Sequence, residues 1–337
     1  MGTIYDIAAQ AGVSASTVSR VINNKPGIKP ATRDRVLRLL QENNYTPNEA
    51  ARGLVKQSTR FIGILIEDIR VEHHNESVYV IERAMAAQGY TCITLNTGAG
   101  AAEKAACVEI LGKRQVEGAI LIGSMFAVPE VSEAIGRFLH GIPVMILNGF
   151  LPLENVYGIL VDEERGVEAC VALLAAKGRR QLAFVADEPT PANRNKRSGF
   201  QNGLLKLGRG PEAGAVFEAP SETPDPRFAL ARGSRITAQI LAERPGTDAI
   251  IFSTDAMAIG GLQYLAGQGI AVPGQIAVTG INNSLYGQIC TPALTTLDNK
   301  LVEVGQNAAR VLLDSLEGKA VSHKLILPTE IIERQST

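Results

Sequence analysis

The sequence has no long hydrophobic run. Among its 337 residues no apolar stretch approaches the roughly 18–20 that a membrane span requires. The first twenty residues carry Asp6, Gln10 and Arg20 and contain no apolar signal-peptide core. The expectation is a soluble, cytoplasmic protein with no membrane partner. Cysteine is scarce: Cys92, Cys107, Cys170 and Cys290 are far apart, and no CxxC pair or Cys/His cluster suggests a metal site. They read as reduced, mostly buried thiols. Enzyme signatures are missing too, with no GxSxG, Walker or HExxH sequence. Gly98-Ala99-Gly100 faintly resembles a dinucleotide loop, but Glu103 stands where the third glycine belongs, so it reads as a flexible turn opening a helix. The expectation is a protein that is not an enzyme and needs no cofactor or metal. No short-period repeat occurs, and the C-terminal segment has no leucine heptad for a tetramerisation coil.

What is present is unevenly charged. Residues 1–60 hold nine Lys/Arg against four Asp/Glu, a net +5, whereas the remainder holds 24 against 30, a net −6. A basic head on an acidic body suggests that the head meets a polyanion, although a solvated basic face would look the same.

Residues 1–46 read as three short helices. Thr3 caps the first, with Asp6 placed as the acidic member of a capping box. Ile4, Ile7, Ala8 and Ala11 follow at helical spacing, and Gly12 ends it. Ser14 caps the second, whose inner face is Val18, Val21 and Ile22. Pro30 suits the first turn of the third, with Val36, Leu37, Leu39 and Leu40 as its apolar side and Asn43–Asn44 closing it. Thr46–Pro47 breaks the chain before a short segment, Glu49 to Lys56, which Asn48 can cap and Gly53 weakens as a helix.

From Phe61 onward short apolar strands alternate with amphipathic helices, the pattern of βαβ units and a parallel sheet. The strand candidates are 61–66, 91–95, 119–122, 144–147, 182–186, 249–252 and 276–279. Helices are expected at 78–88, 167–177 and 302–316, and the Gly/Pro/Glu-rich stretch 208–226 reads as loop around one strand.

The segment from Ile4 to Asn23 has a helix-turn-helix layout, in which a sharp turn lets the second helix enter a DNA major groove. Ala15 and Ser16 are small enough for close approach to base edges. Arg20, one turn on, offers a guanidinium fork for guanine or phosphate, and Thr17 and Ser19 can donate hydroxyls to phosphates. An ordinary helical hairpin with a polar outer face is the alternative.

The run Asp6 to Asn23, then Pro30-Ala31-Thr32-Arg33-Asp34-Arg35-Val36 and Asn44-Tyr45-Thr46-Pro47-Asn48, closely resembles the LacI-family headpiece. The likeness continues through Phe61-Ile62-Gly63, Asn282-Asn283, Thr291-Pro292-Ala293-Leu294-Thr295-Thr296 and Leu327-Pro328-Thr329-Glu330, so it spans nearly the whole chain. It implies an α/β protein: an all-α helix-turn-helix headpiece (1–47), a hinge helix or linker (48–58) and a two-lobed core like periplasmic binding proteins (59–337). In that core, parallel sheets are flanked by helices. Lobe 1 is expected at about 59–158 and 290–321, lobe 2 at about 159–289 and 322–337. The resemblance gives Ala15, Ser16 and Arg20 the role of reading bases, next to the Ser14 cap. Tyr5, Thr17, Ser19 and Asn23 inherit contacts to backbone or adjacent bases. Leu54 matches a leucine that wedges into the minor groove, its alternative being a contact between headpiece and core. Three residues depart from the family pattern: Gly53 in place of Ser or Ala, Val55 without a positive charge, and Lys29 where a Ser-type cap is usual.

In open α/β sheets ligands bind beyond the carboxyl ends of the strands. There the sequence places Asp68, Ser124, Asn148, Asp187, Asp255 and Asn282. By resemblance Asp255 is a pocket aspartate accepting from ligand hydroxyls, or else the N-cap of the following helix. Lys196, four residues before Phe200, stands where the family carries a pocket arginine, so the cation is a point charge rather than a fork; a solvated helix face is the alternative. His73 and His74 replace paired aromatic residues and face an effector or the surface. The expected effector-binding set is therefore Asp68, His73, His74, Ser124, Asn148, Lys196, Asp255 and Asn282. It suits a carbohydrate or similar hydroxyl-rich metabolite, or a phosphorylated one if Lys196 points inward. The whole reads as a sequence-specific transcription regulator, a repressor more readily than an activator, that binds palindromic double-stranded operator DNA as a homodimer or tetramer. A periplasmic-type sugar-binding protein is the rival, opposed by the basic headpiece.

Overall fold

The computed structural model describes residues 3–22, 24–43, 45, 58–221 and 225–337. The chain forms two compact units, residues 1–59 and 60–337.

The first unit contains α1 (Ile4–Ala11), α2 (Ala15–Ile22) and α3 (Pro30–Glu42). The capping box of α1 is complete: Thr3 N donates to Asp6 Oδ2 at 2.7 Å, and Asp6 N donates to Thr3 Oγ1 at 3.3 Å. Gly12 ends α1 at φ +62°, a left-handed conformation that costs glycine little. Ser14 Oγ accepts from Thr17 N at 3.2 Å at the start of α2. Lys29 gives α3 no side-chain cap, and Pro30 opens that helix. Ile7, Ala8, Ala11, Val18, Val21 and Val36 form the small core, with Leu39 and Leu40 against it. Leu37, expected inside, is 43% exposed. Positions 36, 39 and 40 share one helical stripe, and 37 lies about 100° away from 36.

The second unit has two six-stranded sheets. The first runs β11 (Lys324–Leu327), β5 (Val156–Val161), β4 (Val144–Leu147), β3 (Gly118–Ile122), β1 (Phe61–Ile66), β2 (Thr91–Asn96), every pair parallel. The second runs β12 (Glu330–Ile332), β10 (Thr295–Asp298), β9 (Ala277–Ile281), β8 (Ala249–Phe252), β6 (Leu182–Ala186), β7 (Gly214–Glu218). All its pairs are parallel except β10 with β12. Helices α4 (Glu72–Ala87), α5 (Ala101–Lys113), α6 (Pro129–Phe138) and α12 (Leu301–Leu316) belong to the first lobe. Helices α7 (Glu163–Ala176), α8 (Pro191–Lys206), α9 (Ala229–Glu243), α10 (Asp255–Gly267) and α11 (Leu285–Ile289) belong to the second. Fully buried strands such as Gly-Ala-Ile-Leu-Ile at β3 carry near-continuous apolar runs because helices cover both faces of a parallel sheet.

The chain crosses between lobes three times: after β5 at Asp162, after β10 at Asn299, and at Pro328–Thr329 between β11 and β12. This shifts the lobe boundaries expected from sequence. Residues 295–298 pair within the second sheet and 324–327 within the first, the reverse of the expectation. Both strands are four residues long, and the threonines of Thr295-Thr296-Leu297-Asp298 mask the apolar pattern. The turn at Gly98-Ala99-Gly100 leads into α5, with Gly98 at φ +74°.

Candidate functional site

In the headpiece, burial of Val18 and Val21 fixes which face of α2 turns outward. Ser16 and Arg20 are exposed, while Ala15, Thr17 and Ser19 are half-buried. Ser14 Oγ lies 2.8 Å from Ser16 Oγ and 3.0 Å from Thr17 Oγ1, a cluster of hydroxyls at the helix N-terminus. Tyr5 on α1 is 74% exposed. Arg20 Nη2 donates to Pro26 O at 2.9 Å, and Arg33 holds the same loop by donating to Asn24 Oδ1 at 2.5 Å and Lys25 O at 2.9 Å. Lys25, Lys29, Arg35 and Arg38 are exposed as well, giving this small unit a basic surface. Asn23, Leu54 and the expected hinge residues 48–57, including Gly53 and Val55, lie outside the described residues.

In the second unit, the carboxyl ends of both sheets face one another. Asn148 adopts φ +54° and Asn282 φ +111°, turns in which asparagine is tolerated better than most residues. Lys196, on α8, is only 6% exposed, so it does not lie on a solvated helix face. Its Nζ is 3.2 Å from Glu163 Oε1 and donates to Ser253 O at 3.3 Å. Glu163, 1% exposed at the first position of α7, is the hub. Asn148 Nδ2 donates to its Oε2 at 3.0 Å and Asn299 Nδ2 to its Oε1 at 2.9 Å. Asn299 Nδ2 also reaches Asn282 Oδ1 at 3.1 Å. A connected network thus joins Asn148, Lys196 and Asn282 through Glu163 and Asn299.

Ser124 links the lobes directly: its buried hydroxyl accepts from Ala192 N at 3.3 Å, in the first turn of α8. Asp68 is held by Arg70, whose guanidinium also reaches Asp225 of the other lobe at 3.0 Å; the Arg70 hydrogen bonds keep the Asp68 carboxyl below its usual range. His74 is buried and His73 half-buried, their rings edge to face at 4.5 Å. Burial holds both imidazoles below their ordinary pKa, that of His73 well below, with His74 and Lys196 adding to the effect on His73. His74 is therefore an interior residue, not a surface one.

Asp255 stands apart. Thr254, not Asp255, caps α10 by accepting from Met257 N at 3.3 Å. The buried Asp255 carboxylate accepts from Ser284 N and Thr296 Oγ1, each at 2.6 Å, and burial raises its pKa. That geometry gives it an internal role, holding the Ser284 turn against β10. Asp187 is engaged by Arg232 at 2.6 Å.

Sequence reasoning missed Glu163 and Asn299. Each follows a strand that the apolar pattern did not reveal, and a glutamate in the first helical turn reads simply as a complement to the helix dipole. Among the described residues no group of three or more His, Cys, Asp or Glu is placed to hold a metal ion, and no helix is long and apolar enough to cross a membrane. The cysteines are free thiols, but only Cys170 is fully buried.

Comparison with known proteins follows the same division. Bacterial regulatory proteins of the lacI family match residues 3–48, and periplasmic binding protein-like domains match residues 171–337. An HTH-type transcriptional regulator of Lachnoclostridium phytofermentans is 28% identical over 336 residues, covering 99% of each chain. The lac repressor dimer bound to operator and the anti-inducer ONPF superposes with a TM-score of 0.87 at 24% identity, over 99% of this chain and 98% of that one. The transcriptional regulator CelR in complex with cellobiose gives a TM-score of 0.72 at 23% identity over the full length of both. With a helix-turn-helix headpiece followed by a two-lobed periplasmic-binding-protein-like core, this chain belongs to the lacI family of DNA-binding transcriptional regulators.

Proposed function

We propose that the protein is a repressor that binds a palindromic operator as a homodimer in the cytoplasm and is controlled by a small, hydroxyl-rich effector held between the lobes of its core. The observation that carries the DNA-binding half is the outward face of α2. Ser16 and Arg20 are exposed beside Ala15 and Thr17, while Val18 and Val21 anchor the opposite side. A dimer places one such helix on each half-site. The core offers a pairing surface: Leu285, Tyr286 and Ile289 of α11 are exposed, Ile289 at 70%, beside Leu230 of α9. Leu230, Tyr286 and Ile289 border a groove of about 350 Å³ that also takes in Glu72, Ala256, Ile259, Gln263, Ser284 and Cys290. Glu72 Oε1 accepts from Leu285 N at 3.0 Å, so this surface spans both lobes and a change of lobe angle reaches the pairing contacts. The lac repressor, likewise a dimer on operator DNA, and CelR, bound to cellobiose, support the reading. In it, residues 48–58 form the hinge and Leu54 enters the minor groove at the operator centre.

Selection of binding sites from random duplex DNA at near-physiological salt tests the proposal. Recovery of a palindrome with a deformable centre supports it. Failure to recover any sequence, with and without cell metabolites, sinks it.

A further inference from the structure

We propose that Glu163 sets the charge of the effector: by satisfying Lys196 from within the protein, it makes the interlobe cleft a receptor for an uncharged molecule rich in hydroxyl donors and closes it to phosphorylated or carboxylated ones. The inference rests on the effector-cleft reading and narrows it.

Lys196 is the residue through which a negatively charged ligand would be drawn in. In the structure its ammonium already faces a carboxylate at 3.2 Å, and that carboxylate is fixed by two further donors, Asn148 and Asn299. An anion reaching Lys196 would have to lie beside Glu163, and like charges at that separation repel strongly where water is scarce. Three other cations on the facing lobes are paired as well. Arg232 pairs with Asp187 at 2.6 Å, Lys104 with Glu67 at 2.9 Å, and Arg70 with Asp68 at 2.5 Å and Asp225 at 3.0 Å. His73 and His74 are held neutral by burial and supply no positive charge.

Two buried acceptors without partners point the same way, against a buried donor without a partner, Arg232 Nε. His74 Nδ1 lies 3.1 Å from Asp68 O. Only its N–H can satisfy that carbonyl, so in the neutral ring Nε2 is an acceptor, and it is buried with no partner. Asn299 Oδ1 is another buried acceptor without a partner, whereas the unpartnered Ser253 hydroxyl, on the residue whose carbonyl holds Lys196, can donate or accept and does not discriminate. Buried acceptors seek donors. Sugar hydroxyls supply them, and the oxygens of a phosphate dianion do not.

Titration calorimetry of inorganic phosphate into the full-length protein, at neutral pH, tests the assignment. It is run on the wild type, on Glu163→Gln, and on each with Lys196→Met added to isolate the heat that depends on Lys196. Wild type is expected to show no Lys196-dependent phosphate binding. Glu163→Gln, with its cation released, is expected to bind phosphate at least about tenfold more tightly, and to lose the gain when Lys196→Met is added. Equal affinity in wild type and Glu163→Gln overturns the proposal, as does a Glu163→Gln protein that is folded by circular dichroism yet gains nothing. If Glu163→Gln does not fold, the wild-type pair decides alone: Lys196-dependent phosphate binding there overturns the proposal, and its absence upholds it. Operator binding by the same wild-type preparation is a separate measurement, so a failed regulator reading and a failed charge assignment are told apart.

Discussion

Arg20 sits where the exposed face of α2 meets the loop that follows it, and one of its terminal nitrogens is used on Pro26 O. The guanidinium has five donors, so this bond steadies the side chain and leaves others for a base edge. Arg20→Ala is expected to weaken operator binding by roughly 1–3 kcal/mol and to relax preference at a single base pair; fluorescence anisotropy on an operator and its point variants measures both. A uniform loss on every sequence would make Arg20 a phosphate contact. In the core, His73 and His74 give a pH dependence. Their folded pKa values lie below the ordinary 6.5, because burial outweighs the opposing influence of Glu67 and Asp68 on His74. Below about pH 6.5 the unfolded chain therefore binds more protons than the folded one, and stability falls as pH falls. The melting temperature of the core is expected to drop between about pH 7.5 and pH 5.5, and to drop less in a His73→Gln/His74→Gln variant. An identical drop in both proteins would assign the effect to other groups. At this scale the sequence was readable where a polar residue ends an obvious strand, as at Asn148 and Asn282. It was silent at Glu163, whose importance comes from Lys196 and Asn299 arriving from 33 and 136 residues away along the chain.

Helices α9 and α10 meet through glycine. A methyl group on Gly233 would come within 1.9 Å of Met257 O, and one on Gly260 within 2.0 Å of Leu230 O, so each helix presses its backbone into the other. Gly233→Ala gains up to about 1 kcal/mol of helix propensity, but overpacking against a backbone oxygen costs about 1–3 kcal/mol, and the clash wins. Thermal unfolding is expected to show a lower midpoint for Gly233→Ala; an unchanged or raised midpoint would mean that the helix pair can separate. The helices themselves were legible from periodicity and caps, as at Thr3, Gly12 and Ser14. Long apolar strands were legible too. Val156–Val161 escaped because Tyr157 and Gly158 interrupt its apolar run. Lys324–Leu327 and Glu330–Ile332 escaped because short edge strands half-open to solvent carry little pattern.

For the molecule as a whole, operator affinity depends on two headpieces acting together. Leu285→Asp/Ile289→Asp places charges on the proposed pairing surface while leaving the headpiece and the Glu163 network untouched. The variant is expected to sediment as a monomer and to lose about a hundredfold or more in operator affinity, since the second half-site no longer binds at a high effective concentration. A variant that still sediments as a dimer would relocate the interface. The bilobed architecture was legible as alternating strands and helices, but the path between lobes was not. It depends on which sheet each late strand joins, and local sequence does not encode that choice.

That path has a consequence for synthesis. The first sheet receives its last edge strand from residues 324–327 and the second from residues 330–332, a few residues apart in the closing stretch of the chain. A ribosome that has made the first three hundred residues has produced two sheets, each still one strand short, with a backbone edge open to pairing with other chains. The two lobes finish within a few residues of each other. Loss of residues 324–332 leaves both sheets incomplete, so the two lobes are completed as one unit by a single short stretch of chain.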